Sequence, residues 1–375
     1  MRPVRSMTTS VWFAPGRANL MGEHTDYNEG YVLPFALAQG VTATAAARPD
    51  RLLVLRSRQV PDEPVTATLD SLTPGAVTSW AAYAAGVAWA LREAGADVVG
   101  AEIDIDSDLP VGAGVSSSAA LECSVALALC ALSGDRVDRR ALAAIARRAE
   151  NDFVGAPTGI IDQYAALLCE EGHAMLLDCG TLAVTQVPFR PAAAGAAVLI
   201  VDTRVTHALV SGEYGRRRAE CEAAARLLGV PNLGAITDTA AAGRLADPVL
   251  RRRARHVISD SARARAVAAA LQSGEPAAET YRFTGQLLTE AHISLRDDFE
   301  VSWPEADATV EVANAAGALG ARMIGGGFGG SVLALVPEDR MTAVRATLME
   351  AFSQRSWKPP EFIDAVPSPA ARQLA

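Results

Sequence analysis

The segment "GEHTDYNEG" (22–30) places Glu, His, Thr, Asp, Tyr and Asn at six consecutive positions. Apolar runs lie on both sides of it, "VWFAPGRANLM" before and "YVLPFALA" after. A solvated turn needs only one or two hydrogen-bonding residues, usually Gly, Asn or Asp. Six different ones in succession therefore predict a surface that meets a ligand with many polar groups of its own.

A glycine–serine segment, "LPVGAGVSSSAALE" at 109–122, is a second candidate binding site. A glycine-rich loop that leads into a helix presents free backbone N–H groups, which bind an anion without any lysine. Gly112 and Gly114 would let a phosphate approach the backbone closely. A hydroxyl of Ser116, Ser117 or Ser118 could ligate Mg²⁺, which prefers oxygen ligands. The same residues also fit a serine N-cap after a flexible turn.

Other charged and glycine-rich positions carry weaker signals. Glu150 and Asp162 flank a Gly/Pro turn, so they fit either a metal ligand and a general base or two solvated carboxylates. Arg17 precedes the polar segment; beside a carboxylate it would lower the pKa of that group by about 1–3 units, and alone it is typical of a surface residue. The segment "GGGFGG" (325–330) fits a tight strand connection or a close backbone approach to a ligand.

The composition limits the classes of partner. The chain of 375 residues carries a formal net charge of −9, which argues against non-specific binding to nucleic acid. We find no apolar run long enough to span a membrane and no signal peptide. The five cysteines lack CxxC spacing and are typical of buried thiols. We expect a cytoplasmic monomer that binds neither nucleic acid nor membrane.

The lysine content excludes two common nucleotide-binding machines. Lys358 is the only lysine, and all other basic residues are arginines. A Walker-type phosphate loop and a protein kinase both need a lysine on the nucleotide phosphates. Lys358 lies in "SWKPP", away from any glycine loop, so neither machine is present.

The alternation of strand and helix patterns predicts an α+β fold. Strands are predicted at 41–48, 51–57, 65–70, 101–107, 173–178, 182–189 and 196–203, with a further strand after the late glycine turn. Helices are predicted at 78–95, directly after the glycine–serine loop, and at 138–153, 212–229, 247–274 and 279–295. A boundary near "PFRPAAAG" would divide the chain into domains 1–190 and 191–375.

The order of the three glycine-containing segments is more specific than any one of them. "PGRANLMGEHTDYNEGYVLP", "LPVGAGVSSSAALE" and "RMIGGGFGGSVLALV" follow one another along the chain. This order resembles the three-motif pattern of the GHMP small-molecule kinases, and the first motif closely resembles the galactokinase signature. The resemblance implies a two-domain fold with the active site in the cleft between the domains. It also implies ATP- and Mg²⁺-dependent phosphorylation of galactose at its C1 hydroxyl, the first committed step of galactose metabolism.

The resemblance further implies a role for each residue that matches a family motif. The implied galactose ligands are Glu23, His24, Thr25, Asp26, Gly159 and Tyr214. The implied catalytic base is Asp162, with Arg17 as its partner and transition-state stabiliser. The implied ATP contacts are Ser57, Gly112, Ala113, Gly114, Val115, Ser116, Ser117 and Ser118, with Mg²⁺ at Ser118 and Glu150.

Two kinds of alternative fit the same motifs. Another sugar kinase of the superfamily, an arabinokinase or a GalNAc kinase, would need only a different pocket lining. A galactose sensor would bind without turnover, but such proteins resemble galactokinases with a shortened serine motif, and "SSSAALE" is complete here. The chain departs from the usual family pattern at Ile324, where Thr is common, at Ser331, where Cys is frequent, and in "GAPTGIID" before Asp162.

Overall fold

The computed structural model describes residues 9–110, 112–156, 158–206, 210–273 and 277–374. Within these ranges the strands are β1 (Thr9–Asn19), β2 (Tyr31–Val32), β3 (Pro34–Ala47), β4 (Leu52–Ser57), β5 (Val60–Thr68), β6 (Ala101–Ser107), β7 (His173–Asp178), β8 (Ala183–Pro188), β9 (Ala196–Asp202), β10 (Gly320–Ile324), β11 (Ser331–Pro337), β12 (Glu361–Ala365) and β13 (Arg372–Gln373). The helices are α1 (Ala81–Glu93), α2 (Ser117–Ser133), α3 (Arg139–Arg148), α4 (Ile161–Leu168), α5 (Val210–Leu228), α6 (Pro248–Gln272), α7 (Ala277–Ser294), α8 (Pro304–Ala315) and α9 (Met341–Gln354).

The strands form three sheets. The largest has the order β13-β1-β3-β6-β4-β5, in which β4 and β6 are parallel and the other neighbours antiparallel. An antiparallel sheet of order β10-β11-β9-β12 lies in the second half of the chain, and β2-β7-β8 form a small third sheet. Sheets that are mostly antiparallel, with helices packed on them, make the α+β class that the sequence predicts.

Most of the predicted elements are present. The strand predicted at 41–48 is the second half of β3, and the helix predicted at 78–95 is α1. The sequence predicts no element over β1, because its last seven residues are all buried and show no alternation of polar and apolar positions. The pairing of β1 with β3 shifts register between Pro15, which faces Gly40, and Arg17, which faces Ala36, so the extra residues lie in β3 at 37–39, opposite Gly16.

The apolar residues pack into two clusters. The larger surrounds α2, whose residues are buried on almost every side because β1, β3 and α1 all pack against it. The smaller joins β9, β10 and β11 to α5, α6, α8 and α9. No helix in the described ranges is both long enough and apolar enough to cross a membrane.

The chain ends by returning to its first sheet. The strand β13 pairs with β1 through Arg372 and Gln373, and Ser368 bridges to Ala36. The division into 1–190 and 191–375 stays a prediction, and the last residues of the second half add a strand to the sheet of the first.

Candidate active site

A cavity of about 520 Å³ lies where the polar segment, the turn before α4, the start of α5 and the late glycine turn meet. The residues on its wall that the sequence analysis selected are Arg17, Glu23, His24, Asp26, Gly159, Asp162 and Tyr214. These seven residues belong to β1, the loop after it, the turn before α4, α4 itself and α5. The fold therefore gathers positions almost 200 residues apart. A concave site with several convergent polar groups is the usual form of a small-molecule site.

Arg17 and Asp162 form an ion pair at the wall of the cavity. The Nε of Arg17 donates to Oδ1 of Asp162 at 2.7 Å, and its Nη1 donates to the carbonyl of Gly114 at 2.7 Å. Burial alone would lower the pKa of Arg17, but the carboxylates of Asp162, Glu23 and Asp26 outweigh it and raise that pKa. Asp162 lies in the first turn of α4, where the helix dipole favours a negative charge. The pair therefore holds the carboxylate of Asp162 beside a fixed positive charge at the cavity wall.

Close packing of the glycine–serine loop on β1 explains how Arg17 is held in this position. A Cβ atom on Gly16 would lie 2.7 Å from the carbonyl oxygen of Val115, so only glycine allows the loop to approach β1 so closely. The backbone N–H of Arg17 donates to the same Val115 carbonyl at 3.1 Å. Arg17 is thereby held where its guanidinium reaches both Asp162 and the Gly114 carbonyl.

Asp26 and Gly159 face each other across the cavity wall. A Cβ atom built on Gly159 would lie 1.7 Å from Oδ2 of Asp26, so the carboxylate rests directly on the glycine. Burial raises the pKa of Asp26 to about 6, helped by the nearby charges of Asp162 and Glu23. A hydrogen bond from a ligand hydroxyl to this carboxylate would favour its ionised form and lower that pKa.

Glu23 is held from the second half of the chain. Its Oε1 accepts from Nη2 of Arg322 at 2.7 Å and from the backbone N–H of Gly325 at 3.0 Å. The Arg322 side chain is fully buried, so its charge is balanced by Glu23 rather than by water. The carboxylate that lines the cavity is thus fixed in orientation before any ligand arrives.

His24 sits in an aromatic cage with a left-handed backbone. Its φ angle is +61°, a conformation that a residue with a side chain rarely adopts, and such strain concentrates at ligand sites. The ring packs against Phe299, Tyr27 and Tyr214, and Nδ1 pairs with the Tyr27 hydroxyl at 3.0 Å. Burial lowers the pKa of His24 to about 3, so the ring is neutral at pH 7. Its buried Nε2 has no hydrogen-bond partner within the described part of the chain.

The glycine–serine loop contains three residues in the left-handed region before α2. Gly112 and Gly114 have φ angles of +82° and +73°, and Ser116 precedes α2 with φ of +59°. Beyond the chain neighbours of Gly112, none of the described residues lies within 4 Å of a Cβ built on it, so the space in front of the loop is open there. The Ser116 hydroxyl is buried with no hydrogen-bond partner in the residues that the structure describes. An open loop at a helix start, with an unpaired hydroxyl, fits a phosphate group.

Glu150 contacts the last residue of the loop, Ser118. It lies in a π-helical turn, Ala149–Val154, at the end of α3. Its Oε1 accepts from the Ser118 hydroxyl at 3.0 Å, and its Oε2 accepts from Thr158 at 2.7 Å and from Gln163 at 2.9 Å. Burial and the charge of Asp162 raise the pKa of Glu150. One hydroxyl and one carboxylate beside a phosphate loop fit a hard cation that takes its other ligands from phosphate and water.

Thr25 and Ser57 lie apart from the cavity, and the predicted ATP and Mg²⁺ contacts, 112–118 and Glu150, are likewise absent from its described lining. Thr25 is fully buried, and its hydroxyl donates to the carbonyls of Gly22 and Tyr31 at 2.9 and 2.8 Å, so the fold places it inside the loop. Ser57 ends β4 beside Ile105, at the end of the sheet from which the chain enters the glycine–serine loop, and its hydroxyl contacts Gln59 at 3.4 Å. Neither is among the residues that line the cavity in the described structure.

Sequence reasoning missed the residues that hold the polar segment from α6. Oδ2 of Asp260 accepts the backbone N–H groups of Gly22 and Glu23 at 3.1 and 3.0 Å, and Nε2 of His256 contacts the Glu23 carbonyl at 3.0 Å. The many arginines of α6 are typical of a solvated helix face. The hydrogen-bond partners of His256 are far from it in the sequence. A histidine and an aspartate one helical turn apart, within a charged helix, were the only available signal.

Known proteins match the chain along nearly its whole length. Three family profiles match: the galactokinase galactose-binding signature at 5–47, the GHMP kinases N terminal domain at 82–170 and the GHMP kinases C terminal domain at 278–354. The galactokinase of Streptomyces coelicolor is 48% identical over 368 residues, covering 97% of this chain and 94% of the relative. The galactokinase of Mycobacterium tuberculosis is 46% identical over 369 residues, covering 98% and 99%.

Solved structures agree with these matches. The crystal structure of Lactococcus lactis galactokinase complexed with galactose superimposes with a TM-score of 0.92 at 33% identity, covering 98% of this chain and 95% of that one. The Methanococcus jannaschii mevalonate kinase superimposes with a TM-score of 0.66 at 15% identity, covering 100% of both chains, and shows a shared fold alone.

Proposed function

This chain belongs to the galactokinase family of the GHMP kinases and phosphorylates galactose; we propose that it transfers the terminal phosphoryl group of ATP to the C1 hydroxyl in the cavity lined by Asp162 and Arg17. The products are galactose 1-phosphate and ADP. The observation that carries this proposal is the Arg17 guanidinium, which contacts both the carboxylate of Asp162 and the carbonyl of Gly114 in the phosphate loop. One side chain thus joins the sugar cavity to the ATP site.

Asp162 acts as the general base in this proposal. Its carboxylate orients the C1 hydroxyl towards the phosphorus atom and accepts the proton late, because the transition state of phosphoryl transfer is loose and needs little help from a strong base. The ion pair with Arg17 fixes the orientation of the carboxylate. Arg17 also stabilises the negative charge that spreads over the transferring group, since a preorganised charged donor gains most where charge develops.

The sugar is bound by the polar wall of the cavity. Glu23 and Asp26 accept hydrogen bonds from sugar hydroxyls, the neutral His24 offers its unpaired Nε2, and Tyr214 closes the side formed by α5. A site that hydrogen-bonds each hydroxyl rejects an analogue that lacks one, because its own buried groups are then left unpaired. Thr25 contributes indirectly, by fixing the loop that carries these ligands.

The loop 112–118 would bind the phosphates of ATP, and Ser118 and Glu150 would hold Mg²⁺. The described residues contain no group of three or more His, Cys, Asp or Glu side chains suited to a metal, so phosphate and water would have to supply the other ligands. When bound, Mg²⁺ neutralises phosphate charge during transfer. Ser57 borders the nucleotide from the end of β4. We propose that the protein acts as a monomer in the cytoplasm, as the sequence leads us to expect.

The test is ADP release by the purified protein with Mg-ATP and a panel of sugars: galactose, 2-deoxygalactose, GalNAc, arabinose, glucose and, as a non-sugar substrate, mevalonate. Turnover confined to galactose and its close analogues is the expected result. Saturable galactose binding without ADP release would instead identify a sensor. A preference for arabinose or GalNAc would mean that the catalytic pair is assigned correctly and the sugar wall incorrectly.

A further inference from the structure

Three consecutive carbonyl groups of the phosphate loop accept hydrogen bonds from the body of the protein. The carbonyl of Ala113 accepts from the Ser331 hydroxyl at 2.7 Å. The carbonyl of Gly114 accepts from Nη1 of Arg17 at 2.7 Å, and that of Val115 accepts from the backbone N–H of Arg17 at 3.1 Å. The loop is therefore tied at each of three successive peptide groups.

These bonds fix where the loop amides point. In a planar trans peptide the C=O and N–H bonds point in opposite directions, and the described chain has no cis peptide bond. Each of these carbonyls therefore turns the N–H of the next residue away from the hydrogen-bond donor. The N–H groups concerned are those of Gly114, Val115 and Ser116. Successive N–H groups that are free of their own backbone form an anion-binding concavity. The carbonyl contacts thus set the shape that a phosphate meets.

Ser331 is the one of these donors that lies outside the first sheet. It is the first residue of β11, is fully buried, and pairs in register with Ile324 and Asp202. A Cβ built on Gly114 would contact the Ile324 carbonyl at 3.6 Å, so the loop packs directly on the end of this strand pair. The sheet of the second half therefore supports the loop both by this packing and through the hydrogen bond from the Ser331 hydroxyl.

We propose that Ser331 is a positioning residue for the phosphates of ATP. It does not touch ATP; it holds the peptide group 113–114 so that the Gly114 N–H faces the nucleotide. The inference rests on the proposed function, because it needs the loop to be the phosphate site. It explains why a hydrogen-bonding side chain stands at the end of β11, where an apolar one would fill the same space.

The test compares Ser331→Ala with a matched control, Ser124→Ala. Ser124 is also fully buried, and its hydroxyl also donates to a carbonyl, that of Leu121 at 3.0 Å, but within α2 and away from the loop. The measurements are kcat and KM for ATP and for galactose, the Kd of ADP and of galactose by calorimetry, and Tm. Wild-type turnover with galactose tests the proposed function separately, before any variant is made.

Ser331→Ala is expected to raise KM for ATP and the Kd of ADP by about 3- to 10-fold, the worth of one net hydrogen bond, with the Kd of galactose unchanged. Ser331→Cys, which keeps a weak donor, should fall between the wild type and Ser331→Ala. The control variant Ser124→Ala should lower Tm by a similar amount and leave kcat, KM and Kd unchanged. Unchanged ADP affinity in Ser331→Ala would overturn the proposal, as would an equal loss of ADP and galactose affinity, which indicates general loosening.

Discussion

Replacement of Gly159 by alanine should disable the sugar site while sparing the ATP site. The new methyl carbon would lie 1.7 Å from Oδ2 and 2.5 Å from Cγ of Asp26. Since Oδ2 and Cγ belong to the short side chain of Asp26, either its carboxylate must swing out of its place on the cavity wall or the turn that carries Gly159 must move, in each case by more than about 1 Å. A misplacement of about 1 Å costs about 100-fold in rate, which corresponds to about 2.7 kcal/mol of transition-state stabilisation.

The assay measures kcat/KM for galactose at saturating Mg-ATP, and the rate is determined from the release of ADP. The control variant is Gly215→Ala, next to Tyr214 in α5, where a Cβ meets nothing within 4 Å. That control should keep wild-type kinetics and gain up to about 1 kcal/mol of stability, because alanine is the better helix former. If Gly159→Ala kept kcat/KM within about threefold of the wild type, far short of the loss expected for such a displacement, the steric reasoning would be refuted.

A double-mutant cycle isolates the contact itself. In an Asp26→Ala background the methyl group of Gly159→Ala has room, so the second substitution should add little to the loss already caused by the first. Residues in direct contact show such non-additivity, whereas independent sites add. Additive losses would mean that Gly159 acts through some other neighbour.

Three further predictions concern the base, a buried histidine and the cation. Asp162→Asn should keep the galactose Kd and lower kcat by about 10²–10⁴-fold; wild-type turnover would contradict its role as base. Burial lowers the pKa of His256 to about 4, so the folded state favours the neutral ring. The stability that the neutral ring contributes is complete above about pH 6.5 and is lost as the pH falls towards 4. The difference in free energy of unfolding between wild type and His256→Gln should therefore shrink between pH 7 and pH 4.5 in urea titrations, and a constant difference would contradict this. Ser118→Ala should raise the Mg²⁺ concentration for half-maximal activity without changing KM for galactose, and an unchanged Mg²⁺ requirement would remove Ser118 from the metal site.

The fold class and the location of the binding segments could be predicted because their signals are local. The glycine–serine loop needs positive φ at Gly112 and Gly114, and glycine is the residue that adopts it without strain. The helix α1 follows from apolar spacing within its own residues. The strand β1 could not be predicted in this way, because burial on both faces removes the alternation that marks a strand.

The sequence by itself determined which chemical groups are present: a dense polar segment, a lysine-free glycine–serine loop and a late glycine turn in a family-specific order. Only the tertiary structure decided how these groups are placed. Arg17 meets Asp162 across 145 positions because β1 packs against the glycine–serine loop, whose Gly114 and Val115 carbonyls hold Arg17, and Asp260 reaches Gly22 from α6, 238 positions away. It also turned Thr25 into the loop, away from the cavity. The physical reason is that a hydrogen bond depends on distances of about 3 Å between atoms, and strand register and helix packing fix these distances.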